Sequence, residues 1–190
     1  MTSINLDIDN TVNDFLDKFC IYLNSLQLGK TWCKWTDFTD YNISNVTGIN
    51  NNTLEIMFFK NNSFYEQLEP LAKCQQVIKE LYEEGHTIRF VTSIRYDVIQ
   101  ARIDFIKKFF PYIDTNTNLI VTNDKSSIYA DIVVDDYENN FNNVNPDCYF
   151  IVFDQPWNKD MELTNLSGSR AKSWEDVDLL IKRFIHRKAD

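Results

Sequence analysis

The chain has 190 residues and a net charge of −9, with 44% hydrophobic and 14% aromatic residues. That suits one ordinary domain, or one domain carrying an insertion, and supplies ample material for a packed core. The acidic balance argues against a nucleic-acid polymer or an anionic membrane as partner, while leaving room for a small anionic substrate if a metal and a local lysine offset the field.

The first element is a β-favouring run, Ile4-Asn5-Leu6-Asp7-Ile8-Asp9, that leaves through Asn10-Thr11. Side chains alternate along a strand, so Asp7 and Asp9 share a side if the strand stays regular. Two acids so placed repel, and one pKa rises unless a cation sits between them. Val12 to Leu28 reads as a helix with Phe15, Leu16, Phe19, Ile21, Tyr22 and Leu26 on one face. Residues 29–63 are aromatic, Asn-rich and weakly periodic (Trp32, Trp35, Phe38, Tyr41, Phe58, Phe59). In a compact α/β chain such a segment reads as a functional insertion rather than a plain loop.

Regular pattern returns at Glu69-Pro70. Pro70 suits a first helical position, Leu71, Cys74, Val77, Ile78 and Leu81 share a face, and Gly85 stands just past the end. Thr87–Val91 is a strand ending in Thr92-Ser93. Asp97–Phe110 is a helix through Val98, Ile99, Ile103, Ile106 and Phe109, stopped by Pro111. Leu119–Val121 is a short strand followed by Asn123-Asp124-Lys125, and Ile132–Val134 is another, running into Asp135-Asp136. Cys148–Phe153 looks like a buried strand, and Ser173-Trp174-Glu175-Asp176 opens a last helix with a capping-box pattern. Apolar strands alternating with helices predict a parallel sheet.

The four cysteines, Cys20, Cys33, Cys74 and Cys148, form no CxxC pair and read as reduced thiols. The N-terminus lacks the basic and apolar regions of a signal peptide, and no stretch has the length of a transmembrane helix. A cytoplasmic protein is expected.

Ligands of open parallel sheets bind beyond the carboxyl ends of the strands. Taken singly, Thr92-Ser93 is a strand end, Lys125 a solvated lysine and Asp135-Asp136 a loop acid pair. Together with Asp7 and Asp9, they place polar side chains after four apolar runs at one predicted sheet edge.

This ordered set resembles the four signature motifs of the haloacid dehalogenase-like (HAD) phosphatases, and more narrowly those of the 5′(3′)-deoxyribonucleotidases. Asp14-Phe15, Leu68-Glu69-Pro70, Thr122-Asn123-Asp124-Lys125, Asp131-Ile132-Val133-Val134-Asp135-Asp136 and Ser173-Trp174 extend the likeness over nearly the whole chain, weakly from Leu28 to Asn52. Asn10 stands where such proteins usually have Gly, and Asn123 where many animal members have Arg. The resemblance implies an α/β fold: a HAD-like, Rossmann-type parallel sheet flanked by helices. Residues 1–12 and 70–190 would form the core. Residues 13–69 would form a small, mainly helical cap inserted after the first strand.

The same resemblance implies roles. Asp7 is the nucleophile that forms an aspartyl-phosphate. Asp9 protonates the leaving oxygen and then deprotonates the hydrolytic water. Mg²⁺ is held by the Asp7 carboxylate, the Asp9 carbonyl and Asp136, with Asp135 in support. Thr92 and Ser93 cradle the phosphate, and Lys125 offsets charge. Phe15, Tyr41 and Phe59 occupy substrate-pocket positions, with Trp35 and Phe38 as neighbours; Tyr41 and Phe59 as cap core remains the alternative.

The implied activity is Mg²⁺-dependent hydrolysis of deoxyribonucleoside 5′-monophosphates, pyrimidine ones such as dTMP or dUMP, by a monomer or homodimer. Hydrolysis of a sugar phosphate or another small phosphomonoester is the alternative. A phosphoacceptor signalling module is a second alternative, but it has no use for an acid two residues after the nucleophile or for a large aromatic insertion.

Overall fold

The computed structural model describes residues 1–26, 35–137, 139–140, 147–163 and 168–189. Cys33, Trp32 and the predicted end of the first helix at Leu28 lie outside the described residues. Among those described, no helix is long and apolar enough to cross a membrane, and Cys20, Cys74 and Cys148 are buried.

Among the described residues, six parallel strands make one sheet: β1 Ser3–Leu6, β2 Thr87–Thr92, β3 Leu119–Val121, β4 Ile132–Asp135, β5 Tyr149–Phe153 and β6 Gly168–Ala171, in the order β3-β2-β1-β4-β5-β6. Ile4, Leu6, Ile88, Phe90, Ile132, Val134 and Ile151 are fully buried, as expected of strands covered on both faces. The chain builds outward from β1 through β2 to β3, then crosses back to add β4, β5 and β6. The strand order therefore reverses beside β1, where α/β sheets open a crevice for ligands. β6 escapes the sequence pattern because Gly-Ser-Arg-Ala carries no apolar run; as an edge strand it needs little.

The helices that position the site are α1 Phe15–Ser25, α2 Ile43–Thr47, α3 Asn51–Leu54 continuing as a π-turn over Glu55–Phe59, α4 Asn62–Tyr65 and α5 Cys74–Glu83 before β2, and α6 Ile99–Phe109, α7 Thr115–Asn118 and α8 Trp174–Ala189 after it. The segment from α1 to α4 leaves and returns through one stitched neck. Asn13 bridges to Pro70, Asp14 N–H donates to the Glu69 carbonyl at 3.0 Å, Leu71 N–H to the Val12 carbonyl at 2.8 Å, and Glu69 N–H to Asp14 Oδ1 at 2.8 Å. Pro70 is thus part of the neck rather than the first residue of a helix. α5 begins four residues later, after Lys73, whose φ of 66° prevents an earlier start.

Two predicted helix faces are rotated. On α1 the buried stripe is Phe15, Leu16, Phe19, Cys20 and Leu23, while Ile21, two positions from Phe19 and so off that face, is 67% exposed. On α6 it is Ala101, Arg102, Phe105 and Ile106, so a charged residue lies inside where Ile103 was expected. At α8 the Ser173 hydroxyl accepts from Asp176 N–H at 3.2 Å, but the Asp176 carboxylate bonds Lys172 N–H, one residue before a reciprocal box.

Candidate active site

Asp7 is the first residue beyond β1, and its N–H still donates to the Val134 carbonyl of β4 at 2.9 Å. The strand does not continue to Asp9. Thr11, Val12 and Asn13 all aim their N–H groups at the Ile8 carbonyl, and Asn10 turns through a left-handed φ of 61°, which Asn tolerates better than most residues. The Asn10 side chain accepts from Leu16 N–H and that of Asn13 from Phe15 N–H, so the turn itself starts α1.

This turn separates the two acids. Asp7 faces Lys125, whose Nζ donates both to it and to Asp135 Oδ2 at 2.9 Å. Asp9 is directed to Arg102, whose Nη2 lies 2.7 Å from each carboxylate oxygen, and to Asn13 Nδ2 at 2.9 Å. Each carboxylate thus has a cation of its own, Lys125 for Asp7 and Arg102 for Asp9.

Asp7, Asp135 and Asp136 bring carboxylate oxygens within 4.8 Å of one another. Asp135 already accepts from three donors, Tyr137 N–H, Asn140 Nδ2 and Lys125. Asp136 is buried, and its Oδ2 has no partner. Burial, then the neighbouring Asp135 and Asp9, push the Asp7 carboxyl up to about 7 against the pull of Lys125. Burial, Asp7 and Asp135 likewise raise Asp136 well above the usual carboxylate range. Lys125 is stabilised as a cation because Asp135 and Asp7 outweigh its own desolvation. One lysine among three buried acids leaves excess negative charge, and an orphaned carboxylate oxygen among oxygen donors fits a hard divalent cation such as Mg²⁺. Asp7 and Asp136 could hold it.

Thr92 ends β2, buried, and exposed Ser93 follows it with its hydroxyl donated to the Thr122 carbonyl at 2.9 Å. Both line the same cavity as Asp7, Asp9, Lys125, Asp135 and Asp136, a space of about 780 Å³. Its opposite wall comes from the segment between α1 and α4: Phe15, Phe38, Tyr41, Glu55, Phe59 and Tyr65 among others. The Phe15 and Phe59 rings are parallel, 8° apart in plane with centroids at 6.2 Å. Phe15 is only 5% exposed, whereas Phe59 is half-buried. Tyr41 has one face stacked on Tyr137 at 3.8 Å and an edge contact to Trp157, so it joins the inserted segment to the loop after β4. Glu55 paired with Arg95 links the same segment to the loop after β2. Phe38 is buried against Phe19. Trp35 lines a separate cavity of about 260 Å³ behind the turn.

The sequence reading missed a support beneath these loops. Asn158, 1% exposed, donates to the Asp136 and Phe153 carbonyls at 2.8 and 2.9 Å and accepts from Gln155 N–H and Arg170 Nη1. Gln155 Nε2 donates to the Asn10 carbonyl at 2.6 Å. The loop after β5 therefore ties the turn after β1 to the loop after β4. Its signal was available: Gln155-Pro156-Trp157-Asn158 is one more polar tail on an apolar strand.

The fold that carries this acid-lysine cluster at the sheet's carboxyl edge is shared with solved hydrolases of the haloacid dehalogenase type. Among solved structures, the chain is similar to a HAD family hydrolase from Deinococcus radiodurans (TM-score 0.63, 7% identity, 97% of this chain and 96% of that one). It is also similar to a haloacid dehalogenase-like family hydrolase from Xanthomonas campestris (TM-score 0.56, 9% identity, 97% and 96%). Residues 1–188 match the family described as 5′ nucleotidase, deoxy (Pyrimidine), cytosolic type C protein, and the chain belongs to that family. It is 24% identical over 176 residues to the 5′(3′)-deoxyribonucleotidases of Bacillus subtilis and of Bacillus phage SPbeta, covering 92% of this chain and 95% of each relative. The chain is accordingly a phosphomonoester hydrolase.

Proposed function

We propose that the protein hydrolyses deoxyribonucleoside 5′-monophosphates, pyrimidine ones such as dTMP and dUMP, through a phosphorylated Asp7. The observation that carries this reading is the juxtaposition of Asp7, bridged to Asp135 by Lys125, with the unpartnered Oδ2 of Asp136 on the floor of a cavity walled by Phe15 and Phe59. A phosphate monoester needs a nucleophile, a proton donor and neutralisation of charge. Asp7 attacks phosphorus, and the bond to the 5′-oxygen breaks as Asp9 supplies that oxygen with a proton. Asp9 then takes a proton from the water that releases phosphate from Asp7. Thr92 and Ser93 orient phosphate oxygens, and Lys125 offsets negative charge on both reactants. Asp7, the Asp9 carbonyl and Asp136 would hold Mg²⁺, with Asp135 supporting them through Lys125 and Asn140. The metal would supply the remaining positive charge and fix the phosphate's approach.

Residues 13–69 act in this reading as the cap, entering and leaving through the neck at Asn13 and Pro70, excluding water and reading the base. Phe59 is the aromatic wall residue best suited to stacking, since Phe15 is enclosed by its neighbours and Tyr41 already stacks on Tyr137. Stacking contributes about 1–3 kcal/mol per base in single-strand binders, so Phe59→Ala is expected to lower kcat/KM for dUMP about ten- to a hundredfold. An aryl phosphate should lose much less. Equal losses on both substrates would make Phe59 a packing residue of the cap and remove the support for base recognition there.

A further inference from the structure

Arg102 is 1% exposed, and among the described residues it is the only basic side chain so deeply buried. Burying a guanidinium is costly, and an apolar side chain of similar volume generally serves stability as well or better. The return on that cost lies in what Arg102 touches. Its Nη2 reaches both Asp9 oxygens at 2.7 Å, its buried Nε has no partner, and its guanidinium carbon stands 5.5 Å from the centre of the Tyr65 ring. Asp9 is also held by Asn13 Nδ2, whose own amide is fixed because its Oδ1 accepts from Phe15 N–H and Asn10 N–H. The carboxyl is thus gripped from helix α6 on one side and from the turn after β1 on the other.

We propose that Arg102 is a positioning residue for Asp9, setting the direction in which that carboxyl meets the leaving oxygen and coupling it, through Tyr65 of α4, to the inserted segment. This rests on the reading of Asp9 as the proton donor. A single nitrogen serves both Asp9 oxygens, so one oxygen can stay on Arg102 while the other turns to the substrate. No other described cation bonds Asp9, and the pair spans 93 positions of sequence. It therefore ties the first motif to a helix that carries none of the other catalytic groups.

The test compares kcat on dUMP, whose alkoxide leaving group needs a proton, with kcat on p-nitrophenyl phosphate, whose leaving group does not. It uses Asp9→Asn, Arg102→Met and Arg102→Lys with saturating Mg²⁺. General acid catalysis contributes about 10²–10⁴-fold, and misplacing such a group costs about 10²-fold. Arg102→Met is expected to lose about ten- to a hundredfold on dUMP and several-fold less on the aryl ester, sharing the bias of Asp9→Asn. Arg102→Lys keeps the charge without the planar fork and should recover part of the loss with the same bias. Equal losses on both substrates, with Asp9→Asn still biased, would make Arg102 a packing residue and overturn the proposal alone. If Arg102→Met does not fold, Arg102→Lys decides by the same criterion. An unbiased Asp9→Asn would overturn Asp9 as the donor and the proposal with it.

Discussion

Asp7→Asn is expected to abolish turnover while leaving the protein folded. The amide is nearly isosteric with the carboxylate but is a far poorer nucleophile, and loss of a covalent nucleophile costs about four to six orders of magnitude in kcat. Stability should hold or rise, because the change removes one of three mutually repelling buried acids while Lys125 keeps its bond to Asp135. Thermal unfolding and phosphate release measured on the same preparation check both halves. Retention of more than about a tenth of the wild-type rate, a loss under about 1.4 kcal/mol, would mean that Asp7 does not attack phosphorus.

The second large effect is on the metal. Chelation with EDTA is expected to remove activity, and Mg²⁺ to restore it. Ca²⁺ should restore little, since its larger and looser shell relaxes the in-line geometry. Asp136→Asn should weaken Mg²⁺ binding, read directly by titration calorimetry, because it takes a charge from the one acid in the cluster with an unpartnered oxygen. Full turnover in excess chelator would take the metal out of the mechanism.

The parts of this arrangement visible in the sequence are those where chemistry and strand ends coincide. Asp7, Thr92, Lys125 and Asp135 each follow an apolar run, and a parallel sheet delivers such residues to one edge whatever the details of its loops. Contacts between distant elements left weaker marks. Arg102 was hidden because the face of α6 was set by Ile99, Ile103 and Phe109, whereas burial runs through Ala101, Arg102 and Phe105; a charged residue one step off an apolar stripe looks solvated until its partner is known. Asp9 looked like a companion of Asp7 because strand alternation was extended past Leu6, and the left-handed turn at Asn10 ended that alternation. β6 depends on its pairing partner rather than on hydrophobic pattern. Tyr41 was placed at the pocket by resemblance alone; its stacking on Tyr137 depends on how the inserted segment packs against the loop after β4, which no local periodicity encodes.

The central claim, that this site dephosphorylates deoxyribonucleoside 5′-monophosphates, is tested most directly by one panel: phosphate release with Mg²⁺ from dUMP, dTMP, purine deoxynucleotides, UMP and a set of sugar phosphates, compared by kcat/KM. The account predicts the highest values for dUMP and dTMP, with UMP lower because a ribose hydroxyl pressed against apolar side chains would lose its hydrogen bonds to water. A sugar phosphate preferred over every nucleotide would contradict it.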